Sequence, residues 1–276
     1  MDWHHLTRGS RKHPALLFLH GFMGLADDWR ELFARLEHDY YCIAPDLPGH
    51  GRNGFPLRKN GISMESVAGD LLKFLDHHKL DQVTLVGYSM GARLALYVAI
   101  QHPERLRGLV LESGGPGIED EYERRVRVAL DDDRAYTLRC LGIEAFLDEW
   151  YRAPLFESLQ RHPEKLEHLK KLHSVHNAEG LAEALQGLST GRQPSLWDKL
   201  DRLHLPTLLL TGALDHKFCR INRIMSESLP RCERRMIGDA GHNTHLEQPD
   251  AYLTTLVRFL QEHVYRHEPD REKHIR

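Results

Sequence analysis

The sequence contains only four cysteines, Cys42, Cys140, Cys219 and Cys232. They are scattered along the chain and form no C-x-x-C pair, which excludes a disulfide-rich scaffold and the common zinc-binding spacings. The 20 histidines form no H-E-x-x-H motif. We therefore expect free thiols in a reducing compartment and no metal site.

Long hydrophobic runs and a strong net charge are also missing. The longest apolar run, residues 94–100, is far too short to span a membrane, and the first 14 residues contain no apolar stretch of signal-peptide length. A net charge of -3 gives no reason to expect a nucleic acid or an anionic membrane as a partner. We expect a globular cytoplasmic protein that is not inserted in a membrane, because 41% hydrophobic residues suffice for a packed core.

Short apolar segments alternate with segments of helical spacing along most of the chain. This alternation predicts an α/β protein with a mostly parallel, doubly wound sheet that is covered by helices on both faces. The predicted strands are residues 15–19, 40–44, 83–87, 106–112, 206–211 and 234–237, and the predicted helices are residues 64–78, 90–102 and 248–263.

The alternation stops between residues 117 and 200, which are rich in charged helix formers and contain no convincing strand. We interpret this interval as a helical cap inserted into the α/β unit. Residues 1–116 are then the first part of the core, and residues 201–276 are the second part.

One serine stands between two glycines where a predicted strand meets a predicted helix. Residues 87–91, GYSMG, fit the pattern G-x-S-x-G. In a sharp strand-to-helix turn, side chains at the glycine positions would collide with neighbouring elements, and the start of the helix favours negative charge at the serine. Ser89 is therefore the candidate reactive hydroxyl.

A serine needs an imidazole to exchange its proton and a carboxylate to orient that imidazole. Asp215 and His242 each follow a predicted strand, in the chain order serine, acid, histidine. His216 and His245 compete with His242, but His216 adjoins the acid and His245 lies further into the loop. The alternative for Asp215 is a turn or a helix cap.

Two backbone N–H groups are needed to stabilise an oxyanion. We expect one from Met90, directly after the serine, and one from Phe22 in the early loop HGFMG.

These motifs resemble those of the α/β-hydrolase fold family over nearly the whole chain: HGF, PDLPGHG, GYSMG, the acid and GHN-x-H, in that order. Further stretches resemble one subfamily, the 2-succinyl-6-hydroxy-2,4-cyclohexadiene-1-carboxylate synthases of menaquinone biosynthesis. They are VGYSMGARLAL, ESGGPGI, R-x-x-R followed by an acid, FLDEWY-x-x-PLF, STGRQPSLW, TG-x-x-D-x-KF and AGHN-x-H.

The subfamily resemblance implies a lyase that expels pyruvate from an enolpyruvyl cyclohexene carboxylate without a metal or cofactor. It implies Ser89, Asp215 and His242 as the triad. The implied pocket residues are Tyr88, Arg93, Arg127 and Trp150. Ser89 then removes a proton next to the succinyl ketone and does not attack carbon, while the oxyanion hole stabilises the ketone oxygen.

Basic residues of the cap favour a small polycarboxylate substrate. Arg124 and Arg127 are three residues apart and share a helical face. Family members commonly carry an arginine where this chain has His173, before the stretch NAEGLA. We expect a protonated His173 to assist one substrate carboxylate. The alternatives are that His173 lies on the outer face of the cap, and that Arg124 or Arg192 supplies the charge.

Two other functions are compatible with the same motifs. One is a carboxylester or C–C bond hydrolase with Ser89 as nucleophile, although ester substrates rarely need so many guanidinium groups. The other is a non-catalytic binding protein, which has no need to keep all three triad residues.

Overall fold

A computed structural model describes residues 3–53 and 61–265. Within these residues, seven strands form one sheet in the order β1-β3-β2-β4-β5-β6-β7. β1 is antiparallel to β3, and every other pair is parallel. The strands are β1 (His5–Arg8), β2 (Ala15–Leu19), β3 (Tyr41–Pro45), β4 (Val83–Tyr88), β5 (Leu106–Glu112), β6 (Thr207–Gly212) and β7 (Cys232–Ile237).

Helices follow most of the strands and cover both faces of the sheet. They are α1 (Arg30–Leu36), α2 (Met64–His77), α3 (Met90–Gln101), α4 (Glu121–Arg152), α5 (Pro163–His173), α6 (Ala178–Gly187), α7 (His216–Ser228), α8 (Thr244–Glu247) and α9 (Pro249–Phe259). None of the described helices is both long enough and apolar enough to cross a membrane.

The core consists of two hydrophobic layers, because successive residues of a strand point to opposite faces of the sheet. In β2, Leu17 packs with α2 and α3 on one face, and Phe18 packs with α1 and α9 on the other. Strands buried on both faces read as continuous apolar runs, such as ALLFL in β2. Because β2 to β7 run parallel, their carboxyl ends lie at the same edge of the sheet.

The predicted α/β-hydrolase fold with a mostly parallel sheet is confirmed. The predicted bounds of β2 and β5 agree with the structure, and most others differ by one or two residues. The prediction missed β1, an edge strand with exposed and half-buried polar residues. It also missed the short helices α1 and α8, as well as α7, which carries few buried apolar side chains.

The segment between β5 and β6 contains helices and, among its described residues, no strand. The backbone of α4 departs from helical geometry at Gly142, where φ is +76°. Side chains from α4, α5 and α6 form a third hydrophobic cluster together with Met23 of the core. We retain residues 117–200 as a proposed cap and the remainder as a proposed two-part core.

Candidate active site

Ser89 lies at the turn between β4 and α3 with a strained backbone of φ +50° and ψ -106°. A Cβ atom added to Gly91 would lie 2.2 Å from the carbonyl oxygen of Leu19, and one added to Gly87 would lie 2.5 Å from the oxygen of Gly91. The turn therefore requires glycine at both positions. It presents the serine hydroxyl above the start of α3.

Asp215 and His242 complete a chain of hydrogen bonds to that hydroxyl. The Nε2 atom of His242 lies 2.9 Å from Ser89 Oγ, and Nδ1 lies 2.7 Å from Asp215 Oδ2. Because an ionised carboxylate only accepts, Nδ1 donates to Asp215 and Nε2 presents a lone pair to the serine hydroxyl. Asp215 also caps α7 by accepting from the N–H of Phe218, so this carboxylate both contacts His242 and caps a helix.

The two competing histidines occupy other environments. His216 is exposed at the start of α7. The Nδ1 atom of His245 lies 2.8 Å from an oxygen of Glu112, a buried carboxylate that also accepts from the backbone N–H of His245. His245 is therefore bound within the core, and His242 is the histidine within reach of Ser89.

Phe22 and Met90 line the same cavity as Ser89 and His242. In the part of the chain that the structure describes, neither backbone N–H donates to a protein acceptor. The Phe22 loop comes so close to the serine turn that a Cβ atom on Gly21 would lie 2.7 Å from the Tyr88 ring. Two free donors beside a serine form a suitable oxyanion hole, which stays a prediction for this pair.

Two arginines bring positive charge to the cavity. Nη1 of Arg93 donates to the carbonyl of Leu188 and to the side chain of Gln193. Nε of Arg127 lies 2.8 Å from an oxygen of Asp131, which is completely buried. Burial and the nearby Arg127 lower the pKa of Arg93 to about 10, so the Arg93 guanidinium remains charged at neutral pH.

Trp150 and Tyr88 line the cavity with aromatic rings, and each ring also carries one polar group. The indole N–H of Trp150 is buried and finds no acceptor among the described residues, and its ring lies 5.0 Å from that of Phe22. The ring of Tyr88 lies 5.5 Å from that of His242. Burial raises the pKa of Tyr88 well above its ordinary value, so its hydroxyl is neutral and can donate.

The predictions for Arg124 and His173 need correction, because neither side chain lines the cavity. The guanidinium of Arg124 donates through Nε to the carbonyl of Gly191. Both ring nitrogens of the buried His173 are engaged, Nδ1 with the Tyr151 hydroxyl at 2.7 Å and Nε2 with Asp28 at 2.9 Å. His173 therefore joins the segment between β5 and β6 to the core and does not reach a ligand.

Lys217 is a cavity residue for which the sequence analysis assigned no role. It follows Asp215 by two positions in the motif TG-x-x-D-x-KF, and its exposed side chain forms no ion pair with any described residue. Partial desolvation at the cavity and the charges of Arg127 and Arg93 lower the pKa of Lys217. Among the described residues, the cavity is lined by the basic side chains of Arg93, Arg127 and Lys217 and by the carboxylate of Asp131, which suits a ligand with several negative charges.

Comparisons with known proteins agree with this geometry. The alpha/beta hydrolase fold model matches residues 14–249. A Bacillus subtilis (strain 168) protein provisionally named 2-succinyl-6-hydroxy-2,4-cyclohexadiene-1-carboxylate synthase is 38% identical over 253 residues, which are 91% of this chain and 92% of that protein. The protein of that name from Serratia proteamaculans (strain 568) is 34% identical over 257 residues, which are 92% of this chain and 96% of that protein.

A solved structure, MenH from S. aureus, has a TM-score of 0.88 and 33% identity to this chain, and the match covers 94% of this chain and 98% of that one. The chain therefore belongs to the alpha/beta hydrolase fold family and, within it, to the 2-succinyl-6-hydroxy-2,4-cyclohexadiene-1-carboxylate synthases.

Proposed function

We propose that this chain is a menaquinone-pathway lyase. It eliminates pyruvate from 2-succinyl-5-enolpyruvyl-6-hydroxy-3-cyclohexene-1-carboxylate and leaves 2-succinyl-6-hydroxy-2,4-cyclohexadiene-1-carboxylate. The proposal depends mainly on one observation: Arg93 and Arg127 line the same cavity as Ser89 and His242. Ser89, His242 and Asp215 form a chain of hydrogen bonds, which we call the relay. The names of relatives that match nearly the whole chain support the same reaction.

The substrate determines what the relay must do. Its C–H bond next to the succinyl ketone is acidic, because the negative charge left by proton removal spreads onto the ketone oxygen. Ser89 Oγ takes this proton while its own proton passes to Nε2 of His242, which lies 2.9 Å away. Asp215 then stabilises the imidazolium across the 2.7 Å contact.

The charge on the ketone oxygen meets the N–H groups of Phe22 and Met90 in this proposal. The electron pair returns through the ring, a new ring double bond forms, and the C–O bond to the enolpyruvyl group breaks. The enolate of pyruvate leaves, and the proton held by His242 can neutralise it. Atoms and charge balance without water or any further reagent.

The basic residues suit the charge of this substrate, which carries succinyl, ring and enolpyruvyl carboxylates. Arg93 and Arg127 each offer a planar pair of donors that matches a carboxylate. Lys217 adds a third cation at the same cavity. Because the segment from 117 to 200 contributes Arg127 and Trp150 while the core contributes the relay, we assign that segment as a substrate-binding cap. We place the enzyme in the cytoplasm, since its four cysteines are free.

Release of pyruvate from the enolpyruvyl substrate, measured by coupling to lactate dehydrogenase, tests this proposal. The wild-type protein should release one pyruvate per substrate consumed, and Ser89→Ala should release almost none. The hydrolase alternative predicts no pyruvate from this substrate and a rapid burst of nitrophenol from nitrophenyl acetate instead.

A further inference from the structure

The loop that carries Phe22 contains a strained residue. Met23 has a φ of +69°, in the left-handed region that side chains other than glycine rarely adopt, and its side chain is completely buried. Such a conformation persists only when surrounding contacts hold it.

A histidine from a distant part of the chain holds this residue by its backbone. His176, between α5 and α6, lies with Nε2 2.6 Å from the carbonyl oxygen of Met23. Its Nδ1 lies 2.8 Å from the backbone nitrogen of Gly51. Because a backbone N–H only donates, Nδ1 must accept, and Nε2 therefore carries the hydrogen and donates to Met23.

Both hydrogen bonds of the imidazole are made inside the protein. His176 is buried, with 6% of its surface exposed, and both of its nitrogens are engaged. Burial and the neighbouring His173 lower the pKa of His176 to about 3, so the ring is neutral at neutral pH, and its two hydrogen bonds select one tautomer. The hydrogen bond to Met23 is therefore a fixed contact.

The Met23 carbonyl is one residue away from the Phe22 N–H. A turn of the strained Met23 backbone would change the direction of that N–H, and an oxyanion donor must lie within roughly 2.7–3.1 Å of the charged oxygen. We propose that His176 is a positioning residue that holds the Phe22 N–H in the oxyanion hole through the Met23 carbonyl. This inference rests on the oxyanion hole of the proposed function.

Two substitutions of His176 separate this role from simple packing. His176→Leu removes both hydrogen bonds and should lower kcat by about 10- to 100-fold, somewhat less than the loss of a complete oxyanion donor. KM should change less than about twofold, since a contact that acts only as charge develops affects kcat. His176→Gln keeps an N–H donor and should recover kcat to within about threefold of wild type.

The neighbouring Asn177 provides a matched control, because its side chain caps α6 by accepting from the N–H of Gly180. Asn177→Ala should lower the melting temperature, as His176→Leu does, and leave kcat unchanged. A His176→Leu protein with wild-type kcat, or a His176→Gln protein no better than the leucine variant, overturns the proposal. Equal losses of kcat in His176→Leu and Asn177→Ala also overturn it.

A second probe makes the test independent of the lyase reaction. A fluorophosphonate is attacked at phosphorus by Ser89 Oγ, whose proton passes to Nε2 of His242 while fluoride leaves. The negative charge on the phosphoryl oxygen requires the same N–H donors. His176→Leu should slow this labelling, and His176→Gln and Asn177→Ala should not. If wild type releases no pyruvate but labelling depends on His176, the proposed function fails and this inference holds. A wild-type protein that neither releases pyruvate nor reacts with the fluorophosphonate lacks a working oxyanion hole. That result overturns both the proposed function and the proposed role of His176.

Discussion

Arg127 offers a test of how the cavity recognises carboxylates. Its Nε is bound to Asp131, so its terminal nitrogens are the donors that remain for a substrate. Arg127→Lys keeps the positive charge beside Asp131 but loses the planar pair of donors. A charge-assisted hydrogen bond is worth about 1.5–3 kcal/mol, so kcat/KM for pyruvate release should fall by roughly 10- to 150-fold.

Lysine is a better replacement than alanine here because Asp131 is completely buried and needs a nearby cation. Arg125→Lys, at an exposed position of α4, is the matched control and should leave kcat/KM within twofold of wild type. Thermal unfolding of both variants checks that the fold is intact. Equal effects from the two substitutions, or no effect from Arg127→Lys, would refute carboxylate recognition by Arg127.

Three further predictions follow from named contacts. Ser89→Ala and His242→Ala should each lower kcat at least about a thousandfold in the pyruvate assay, and the double variant should be little worse, because the two residues act as a unit. Lys217→Met should raise KM about tenfold with a smaller change in kcat, since it removes a cation that binds substrate before and during the reaction. Burial by itself would raise the pKa of Asp28, but the nearby His173 lowers it by more than burial raises it. The pKa of Asp28 in the folded protein is therefore below 3.8. This carboxylate should therefore stabilise the fold above pH 3.8 and lose that contribution as the pH falls through the folded pKa, as measured by urea unfolding.

Each of these predictions has a result that contradicts it. Additive losses in the Ser89 and His242 double variant would mean that the two side chains act separately. A rise in KM for the exposed Arg220→Met as large as that for Lys217→Met would indicate a general effect of charge. If Asp28→Asn unfolds with the same dependence on acid as wild type, the Asp28–His173 pair does not control acid stability.

The sheet and the relay could be predicted because their signals are local. A strand buried on both faces is mostly apolar, so β2 (ALLFL) and much of β4 (VTLVGY) stand out as short hydrophobic runs. The turn between β4 and α3 that carries Ser89 needs glycine on both sides of the serine. Asp215 and His242 follow strands whose carboxyl ends lie at the same edge of the sheet. Residues that are far apart in the sequence but follow parallel strands are therefore expected to lie close together at this edge.

The surroundings of the relay depend on tertiary packing, and the sequence predicted them less well. Arg124 and Arg127 share a helical face, yet only Arg127 reaches the cavity, because the carbonyl of Gly191 binds Arg124. His173 occupies the position expected for an arginine, but Asp28 binds it from 145 residues away. No local spacing reveals such partners.

In the proposed mechanism, Ser89 moves a proton and does not form a bond to substrate carbon. The most direct test is the intact mass of the enzyme, quenched by acid while it is releasing pyruvate at the steady-state rate. Proton transfer leaves the protein mass unchanged throughout turnover. A mass increase that maps to the peptide containing Ser89, and that appears and decays with turnover, would contradict it.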